Sequence, residues 1–223
     1  MKKIKAAGRS PGRAKKIPLR RMSKNPEKAE KLREKVYEAV ARVLMKHRSG
    51  TFTLDEVAAE IGVTKGVIYY YFHSRGEMLY QLNKYIFNMM HEDGDPIWDD
   101  NNLTPRQKLE AVVGSYMRVN VKHWQIARVL WSDMGLREGS QHQAGVINRE
   151  RREFRRKIAG VVQDIITAEG WDPIDEHIAA WFIYGILVFS SVWFRTGREM
   201  TEEQVCDFVI KLIFDGLFTK NSP

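Results

Sequence analysis

Apolar residues recur every three to four positions through most of this chain, which is the spacing of an α-helix rather than a strand. The first such segment begins at Pro26 and runs to about His47, where Ser49-Gly50 ends it. No segment alternates apolar and polar residues over the length of a strand. The pattern therefore predicts an all-α fold of about nine helices.

Two short helices joined by a glycine turn follow the first helix. The earlier one begins after Thr53, and Glu56 stands three residues further on, where it completes a capping box. Gly62 ends this helix, since glycine adopts the left-handed conformation that a tight turn requires. Thr64 is placed to cap the next helix, Lys65–Tyr70. This arrangement predicts a helix-turn-helix whose second helix enters the major groove of DNA.

The second helix of this motif has two different faces. At 100° per residue, one face carries a lysine, a glycine and two tyrosines and is free to meet DNA, while the other is apolar and packs inward. Threonines at both helix N-termini lie where backbone N–H groups favour phosphate. Within Thr53–Phe72 the predicted DNA contacts are Thr53, Thr64, Lys65, Gly66, Tyr69 and Tyr70, whereas Val67, Ile68, Tyr71 and Phe72 are predicted core.

The remaining helices have recognisable starts. A fourth begins with a capping box at Ser74 and Glu77 and runs to about Met90, and the turn-rich segment Asp93–Leu103 is predicted to be a domain junction. The later predicted helices are one capped by Thr104–Gln107, Val121–Gly135, Gly139–Gly170, one from Asp172-Pro173 to about Thr196, and one capped by Thr201–Gln204 that reaches about Phe218.

The positive charge of the chain is concentrated at its N-terminus. The formal net charge is +8, yet residues 1–25 hold ten of the 36 Lys and Arg and no acid, so the other 198 residues carry 28 acids against 26 bases. This segment lacks an apolar period and is expected to be a disordered basic arm. Two interpretations stay open: a solvated tail, or an arm that lies on DNA phosphates and steepens the salt dependence of binding.

The residues of the turn and second helix carry a family resemblance. The run from Ile61 to Phe72, IGVTKGVIYYYF, followed by Ser74, Arg75 and Glu77, resembles the TetR family of bacterial regulators, which typically shows a pattern like A-G-V-S-K-G-T-L-Y-H-Y-F. The resemblance implies a homodimer of all-α subunits that is released from its DNA operator by a small effector. It also implies a DNA-binding domain over 26–91, an effector-binding and dimerisation domain over 103–219, and a DNA-backbone contact for Arg75.

The C-terminal half offers candidates for the dimer and the effector. The aromatic helix Asp172–Thr196 and the last helix are predicted to form the dimer interface, with Gly185, Ser190 and Ser191 permitting close approach. The stretch Trp193–Thr201, WFRTGREMT, is similar to a segment of TetR-family repressors of lipid and sterol breakdown, which implies an acyl-CoA or another hydrophobic anion as effector. A drug-like hydrophobic compound is the alternative. The candidate effector residues are Arg152, Arg156, Trp181 and Trp193.

The basic cluster Arg149–Lys157 has two interpretations. Arg149 with Glu153, and Glu153 with Lys157, stand at the four-residue spacing of helical ion pairs, which favours a solvated face. The alternative is that one of four arginines guards the mouth of an effector pocket and holds an anion: Arg151, Arg152, Arg155 or Arg156.

Other classes of function find little support in the chain. No phosphate-binding, nucleophile-elbow or zinc-protease motif is present, so no catalytic residue, cofactor or metal is predicted. His91 and the acids near it, Asp93, Asp95, Asp99 and Asp100, are expected to be a solvated loop rather than a cation site. With one cysteine and no segment resembling a signal peptide or a membrane span, we expect a cytoplasmic protein without a membrane partner. A DNA-architectural protein without an effector is a distant alternative to a ligand-released homodimeric repressor.

Overall fold

A computed structural model of the chain describes residues 26–46, 52–131, 140–171, 173–194 and 200–217. Within these ranges every regular element is a helix and there are nine of them, which confirms the predicted all-α class. In chain order they are α1 (Pro26–Lys46), α2 (Leu54–Glu60), α3 (Lys65–Tyr71), α4 (Arg75–Asp99), α5 (Pro105–Lys122), α6 (Trp124–Trp131), α7 (Gln141–Glu169), α8 (Glu176–Trp193) and α9 (Glu202–Leu217).

The first three helices form one packed unit around apolar residues of α1. Val36 and Val40 of α1 are fully buried, and α2 packs on both α1 and α3. At the rim of this unit Glu60 of α2 accepts from Arg42 Nε at 3.0 Å and from Lys46 Nζ at 2.7 Å, so the end of α2 is tied to α1. The pKa of Glu60 is lowered because both cations donate to its carboxylate.

Helix α4 is longer than its sequence pattern predicts. The turn-rich interpretation of Asp93–Leu103 is wrong for its first part, because α4 continues through Pro96 to Asp99. The continuation is held by packing: Gly94 is buried against Tyr116 of α5, and Ile97 and Trp98 pack against the core. Tertiary contacts thus outweigh the local turn preference of the segment.

Helix α5 is the centre of the larger C-terminal bundle. It contacts α4, α6, α7, α8 and α9, and ten of its residues are buried. At its start, Arg106 donates Nε and Nη2 to the two carboxylate oxygens of Glu169 at the end of α7, both at 2.9 Å, and its guanidinium lies 4.6 Å from the ring of Phe214 of α9. This residue therefore joins three helices at one end of the bundle.

Most predicted helix starts are confirmed, and two are displaced. The predicted start at Val121 is too early, because α5 continues to Lys122 and α6 begins at Trp124. Thr104 with Gln107, and Thr201 with Gln204, exchange the hydrogen bonds of a capping box. The predicted start of α8 at Asp172-Pro173 is too early: α8 begins at Glu176, because the Asp175 carboxylate accepts from the backbone N–H groups of the first turn. At Ser74 the capping box is incomplete, since Glu77 accepts from the backbone of His73 instead.

Helix α8 has the length and composition of a membrane-crossing segment, whereas the sequence pattern led us to expect none. Its 18 residues have a mean hydropathy of 1.3, and 39% of them are buried inside the chain. The same criteria are met by core helices of globular proteins, and α8 packs on α7, α5 and α6.

Several predicted features lie outside the described residues. These are the basic arm 1–25, the helix end at Ser49-Gly50, the segment 132–139 and most of the Trp193–Thr201 motif, namely 195–199.

Candidate nucleic-acid interface and ligand cavity

The turn between α2 and α3 is fixed by local hydrogen bonds and one glycine. The Thr53 hydroxyl accepts from Glu56 N at 3.2 Å, and a Glu56 carboxylate oxygen accepts from Thr53 N at 2.7 Å, so the predicted capping box is present. Gly62 has φ +70°, the left-handed region in which glycine is least strained. Val63 is buried beneath the turn. These contacts set the angle at which α3 leaves the motif.

The two faces of α3 divide as the helical period predicts. Val67, Ile68 and Phe72 are fully buried, whereas the side chains of Tyr69 and Tyr70 are 48% and 57% exposed. Lys65 and Gly66 are exposed on the same side as these tyrosines, and Tyr71 is only partly exposed and packs against the core. The exposed face therefore presents an ammonium group, two phenols and a glycine that lets the backbone approach a surface closely.

Lys65 is not isolated on this face. Its ammonium group forms an ion pair with Asp55 of α2, and this carboxylate raises the pKa of Lys65. The two residues are ten positions apart on different helices, so no helical spacing predicts the pair. A DNA contact by Lys65 must either share the ammonium group with Asp55 or replace that ion pair.

Two other predicted contacts differ from expectation, since Thr64 lacks its predicted side-chain cap and Arg75 lies against an aromatic ring. Thr64 occupies the N-cap position of α3 with extended backbone, but its side chain makes no capping hydrogen bond. Arg75 is half-buried, with its guanidinium 4.7 Å from the centre of the Phe52 ring. The ring supports the arginine at the start of α4 and fixes its position near the motif.

A second site is an internal cavity between four helices of the C-terminal bundle. Its volume is about 20 Å³, room for roughly one water molecule. The walls are mostly aromatic and aliphatic with a few polar groups. The lining residues are Phe87, Met90 and His91 of α4, Tyr116 and Asn120 of α5, Glu150, Arg151 and Phe154 of α7, and Tyr184, Leu187 and Val188 of α8.

His91 makes polar contacts at the edge of this cavity. Its Nδ1 lies 3.2 Å from Asp95 and its Nε2 lies 3.1 Å from Glu150 of α7. The expectation of a solvated loop at His91 is wrong, because residue 91 lies within α4 and faces α7. Within the described ranges, no group of three or more potential ligands is arranged to hold a metal ion.

The basic cluster on α7 is arranged differently from the predicted helical ion pairs. Lys157 lies 3.5 Å from Asp95 of α4, so it pairs across helices rather than with Glu153. Arg156 lines a surface depression of about 380 Å³ together with two lysines and two carboxylates, namely Lys108, Lys157, Asp99 and Asp164. Arg152 is exposed on the helix surface outside it. Of the two predicted effector arginines, only Arg156 thus lies in a concave site.

Trp181 and Trp193, the other two effector candidates, lie largely on the outer side of the bundle. The Arg155 guanidinium of α7 lies 3.8 Å from the centre of the Trp181 ring. The two tryptophans line an open apolar groove of about 500 Å³ on α8 and α9, in which Phe182, Phe189 and Phe208 are each more than 60% exposed. Neither tryptophan lines the internal cavity. The density of aromatic residues in α8 could not show whether these tryptophans line an internal cavity or an outer surface. Both kinds of site are rich in aromatic residues when the outer surface packs against a partner.

The small residues of α8 also differ from their predicted role. Gly185 lines the groove, but Ser190 and Ser191 are buried. Their hydroxyls donate to the carbonyls of Leu187 and Val188 at 2.6 and 2.9 Å. The two serine side chains therefore lie on the buried side of α8 and donate to carbonyls of their own helix. They are not on its exposed side, where they were predicted to permit close approach of a partner helix.

A helix-turn-helix with an exposed cationic and phenolic face, joined to a larger helical bundle, defines a DNA-binding regulator of transcription. Residues 38–82 match the family described as bacterial regulatory proteins, tetR family, and residues 102–217 match the tetracyclin repressor-like C-terminal domain. The chain belongs to the TetR family.

Relatives and solved structures agree with this assignment. The chain is 23% identical over 167 residues to the HTH-type transcriptional repressor KstR2 of Mycobacterium tuberculosis H37Rv, an alignment that covers 74% of this chain and 82% of the relative. The structure of that ketosteroid transcriptional regulator superimposes with a TM-score of 0.74 at 22% identity, covering 85% of this chain and 95% of the other.

Two further structures show the same fold. A tetR-family regulatory protein from Rhodococcus RHA1 gives a TM-score of 0.74 at 18% identity, covering 85% of this chain and 98% of that one. AibR in complex with isovaleryl coenzyme A and operator DNA gives a TM-score of 0.70 at 16% identity, covering 82% of this chain and 97% of that one.

Proposed function

We propose that this TetR-family repressor acts as a homodimer whose operator is contacted by the exposed face of α3 and whose release is controlled by a hydrophobic effector. The observation that carries the DNA-binding part is the division of α3: Val67, Ile68 and Phe72 anchor the helix, and Lys65, Gly66, Tyr69 and Tyr70 are left on its outer side. We place this activity in the cytoplasm.

Each residue of the outer face has a distinct role in this proposal. Lys65 donates to guanine O6 and N7 or to phosphate, and Gly66 allows the backbone to approach a base edge. Tyr69 and Tyr70 donate to phosphates and contact thymine methyl groups. Backbone contacts to phosphate come from the N-termini of α2 and α3, at Thr53 and Thr64, and from Arg75.

The test for DNA recognition starts from selection of genomic fragments by the full-length protein, followed by footprinting of the enriched sequences. Lys65→Ala should lower discrimination among operator variants, because base contacts carry sequence information. Lys84→Ala is the matched control, since Lys84 is an exposed lysine of α4 outside the motif. An operator preference that is unchanged in Lys65→Ala contradicts the assignment.

The open groove on α8 and α9 supports the dimer. Exposed apolar patches of this kind mark interaction surfaces, and the lining here is nearly free of polar groups. A second copy of the chain that packs the same face against it would bury Trp181, Phe182, Phe189 and Trp193. Under this proposal the two tryptophans belong to the dimer rather than to the effector site.

Sedimentation velocity tests the dimer directly. Phe182→Glu and Phe189→Glu should each convert the dimer to monomer, because a buried carboxylate in an apolar interface has no partner. Met45→Glu provides the control, since Met45 is 49% exposed on α1, in the other part of the molecule. A wild-type chain that sediments as a monomer overturns the proposed interface.

The internal cavity and the neighbouring depression support an effector with an apolar part and an anionic part, such as an acyl-CoA. In the cavity wall the rings of Phe154 and Tyr116 are stacked, with their centroids 4.1 Å apart. Phe154 also packs edge to face with Trp98, at 6.2 Å between ring centroids. Trp98 lines the depression that holds Lys108, Arg156 and Lys157. The apolar part of the effector would widen the cavity and occupy it, and the anionic part would lie beside the three cations of the depression. The AibR complex contains an effector of this class. A drug-like hydrophobic compound remains the second candidate, favoured by the small polar share of the cavity wall.

Release of operator DNA by isovaleryl-CoA and longer acyl-CoAs, compared with free coenzyme A, tests this effector class. Arg156→Ala should weaken binding of acyl-CoA, since it removes one of the cations of the depression. Arg152→Ala is the matched control, because Arg152 lies outside that site. If Arg152→Ala weakens release and Arg156→Ala does not, the anion binds elsewhere on the basic cluster.

A further inference from the structure

The side-chain amide of Asn120 lies in the wall of the internal cavity, and only one of its two polar atoms makes a hydrogen bond. The residue is fully buried on α5. Its amide Nδ2 donates to the Leu187 carbonyl of α8 at 3.2 Å. Because a carbonyl can only accept, this contact fixes the orientation of the amide and directs Oδ1 the other way.

The Oδ1 atom of Asn120 is buried and has no hydrogen-bond partner among the described residues. Both ring nitrogens of His91 face carboxylates, and Glu150 is itself an acceptor. The cavity wall also holds Tyr116, Arg151 and Tyr184, which carry donors, but none of them forms a hydrogen bond with Asn120 Oδ1. Buried acceptors are normally satisfied, so an unsatisfied one in a cavity wall indicates a donor that arrives from outside the chain.

We propose that Asn120 Oδ1 is the recognition point for a hydrogen-bond donor, a hydroxyl or amide N–H, at the buried end of the effector. This inference rests on the proposed function, because it assumes that the cavity opens for a ligand. It adds a selection rule to that function: a ligand of the same shape without a donor leaves Asn120 unsatisfied and binds more weakly. The aromatic and aliphatic walls would contact the rest of the ligand through hydrophobic interactions, which do not depend on its orientation.

Small aromatic probes separate hydrogen bonding from hydrophobic burial, and phenol and toluene have nearly the same shape. Phenol carries a donor, toluene replaces its hydroxyl by a methyl group, and anisole keeps the oxygen but has no donor. Titration of the full-length protein by calorimetry should show phenol binding about tenfold tighter than toluene or anisole, the effect of one hydrogen bond. Equal affinity for phenol and toluene, or no binding of either, overturns the proposal, and this comparison needs no variant.

Two variants locate the preference in the cavity. Asn120→Leu keeps the side-chain shape and removes the acceptor, so the preference for phenol should disappear. Asn83→Leu is the matched control, because Asn83 is a buried asparagine whose amide donates to Leu79 within α4 and which does not line the cavity. A phenol preference that survives in Asn120→Leu overturns the proposal.

Operator release is measured in parallel so that the two claims fail separately. Release by acyl-CoA without any phenol preference leaves the repressor function standing and removes Asn120 as the recognition point. A phenol preference that depends on Asn120, in a protein whose operator binding no acyl-CoA affects, supports the recognition point and overturns acyl-CoA as the effector.

Discussion

Lys65, the first residue of helix α3, is held in an ion pair by Asp55 of the preceding helix α2, on the face that we propose contacts DNA. Both side chains remain substantially exposed, and the carboxylate raises the pKa of the lysine. The pair thus holds the ammonium group in one orientation. It also means that the carboxylate is brought close to the DNA phosphates whenever α3 binds.

Neutralising Asp55 should strengthen DNA binding that does not depend on sequence. In Asp55→Asn the lysine no longer has to leave an ion pair and the repulsion between carboxylate and phosphate is gone, so nonspecific affinity should rise about two- to fivefold. Fluorescence anisotropy with random-sequence DNA at two salt concentrations measures the change. Asp93→Asn removes the same charge from an exposed site on α4 and serves as the control. Equal affinity in the two variants would refute a specific role for the pair.

The contact of Glu60 with Arg42 and Lys46 should make the packed unit of α1, α2 and α3 sensitive to acid. The pKa of Glu60 is lowered below its ordinary value of 4.5 by these donors. Its stabilising effect is therefore fully present above pH 4.5 and is lost as pH falls through the lowered pKa. Thermal unfolding of wild type and Glu60→Gln from pH 6 to pH 3 should show a gap in Tm that is constant at first and then closes. A gap that widens as pH falls would contradict the sign of the shift.

Local signals explain what could be predicted from the sequence. The capping boxes at Thr53 and Thr104 join residues three apart, and the split between the outward Tyr69 and Tyr70 and the inward Phe72 follows from the helical period alone. Each of these depends on neighbours within one turn, so no knowledge of the remaining fold is required.

The features that could not be predicted depend on distant partners. His91 and Glu150 meet across 59 positions, and Asp55 and Lys65 lie on different helices. The outward direction of Trp181 follows from which face of α8 packs on α7, which no property of the helix itself reveals. The outward face of α3 could therefore be predicted from the sequence, whereas the wall of the internal cavity could not.

The close approach of α4 and α5 at Gly94 should make this glycine hard to replace. A Cβ there would lie 2.8 Å from Cε2 of Tyr116, whose buried ring is itself stacked on Phe154 and cannot move freely. Although alanine favours a helix by about 1 kcal/mol, overpacking of this kind costs about 1–3 kcal/mol, so Gly94→Ala should lower stability. Denaturant unfolding measures the change.

Gly145→Ala is the matched control for this prediction. Gly145 is an exposed glycine in α7, and a Cβ added there would have nothing within 4 Å, so alanine should raise stability by up to about 1 kcal/mol. The two substitutions are chemically identical, and a gain in stability at both positions would mean that Tyr116 moves aside without cost.

Arg106 should be sensitive even to a conservative change, because it uses the geometry of its guanidinium rather than its charge alone. It donates two parallel hydrogen bonds to Glu169 and lies against the ring of Phe214, and a lysine can reproduce neither the fork nor the flat contact. Arg106→Lys should cost about 1–2 kcal/mol, which lowers Tm by about 2–8 °C for a chain of this size. Calorimetry gives the Tm, and Arg152→Lys on the exposed face of α7 should leave it unchanged. Equal Tm values for Arg106→Lys and wild type would show that charge alone joins α5 to α7.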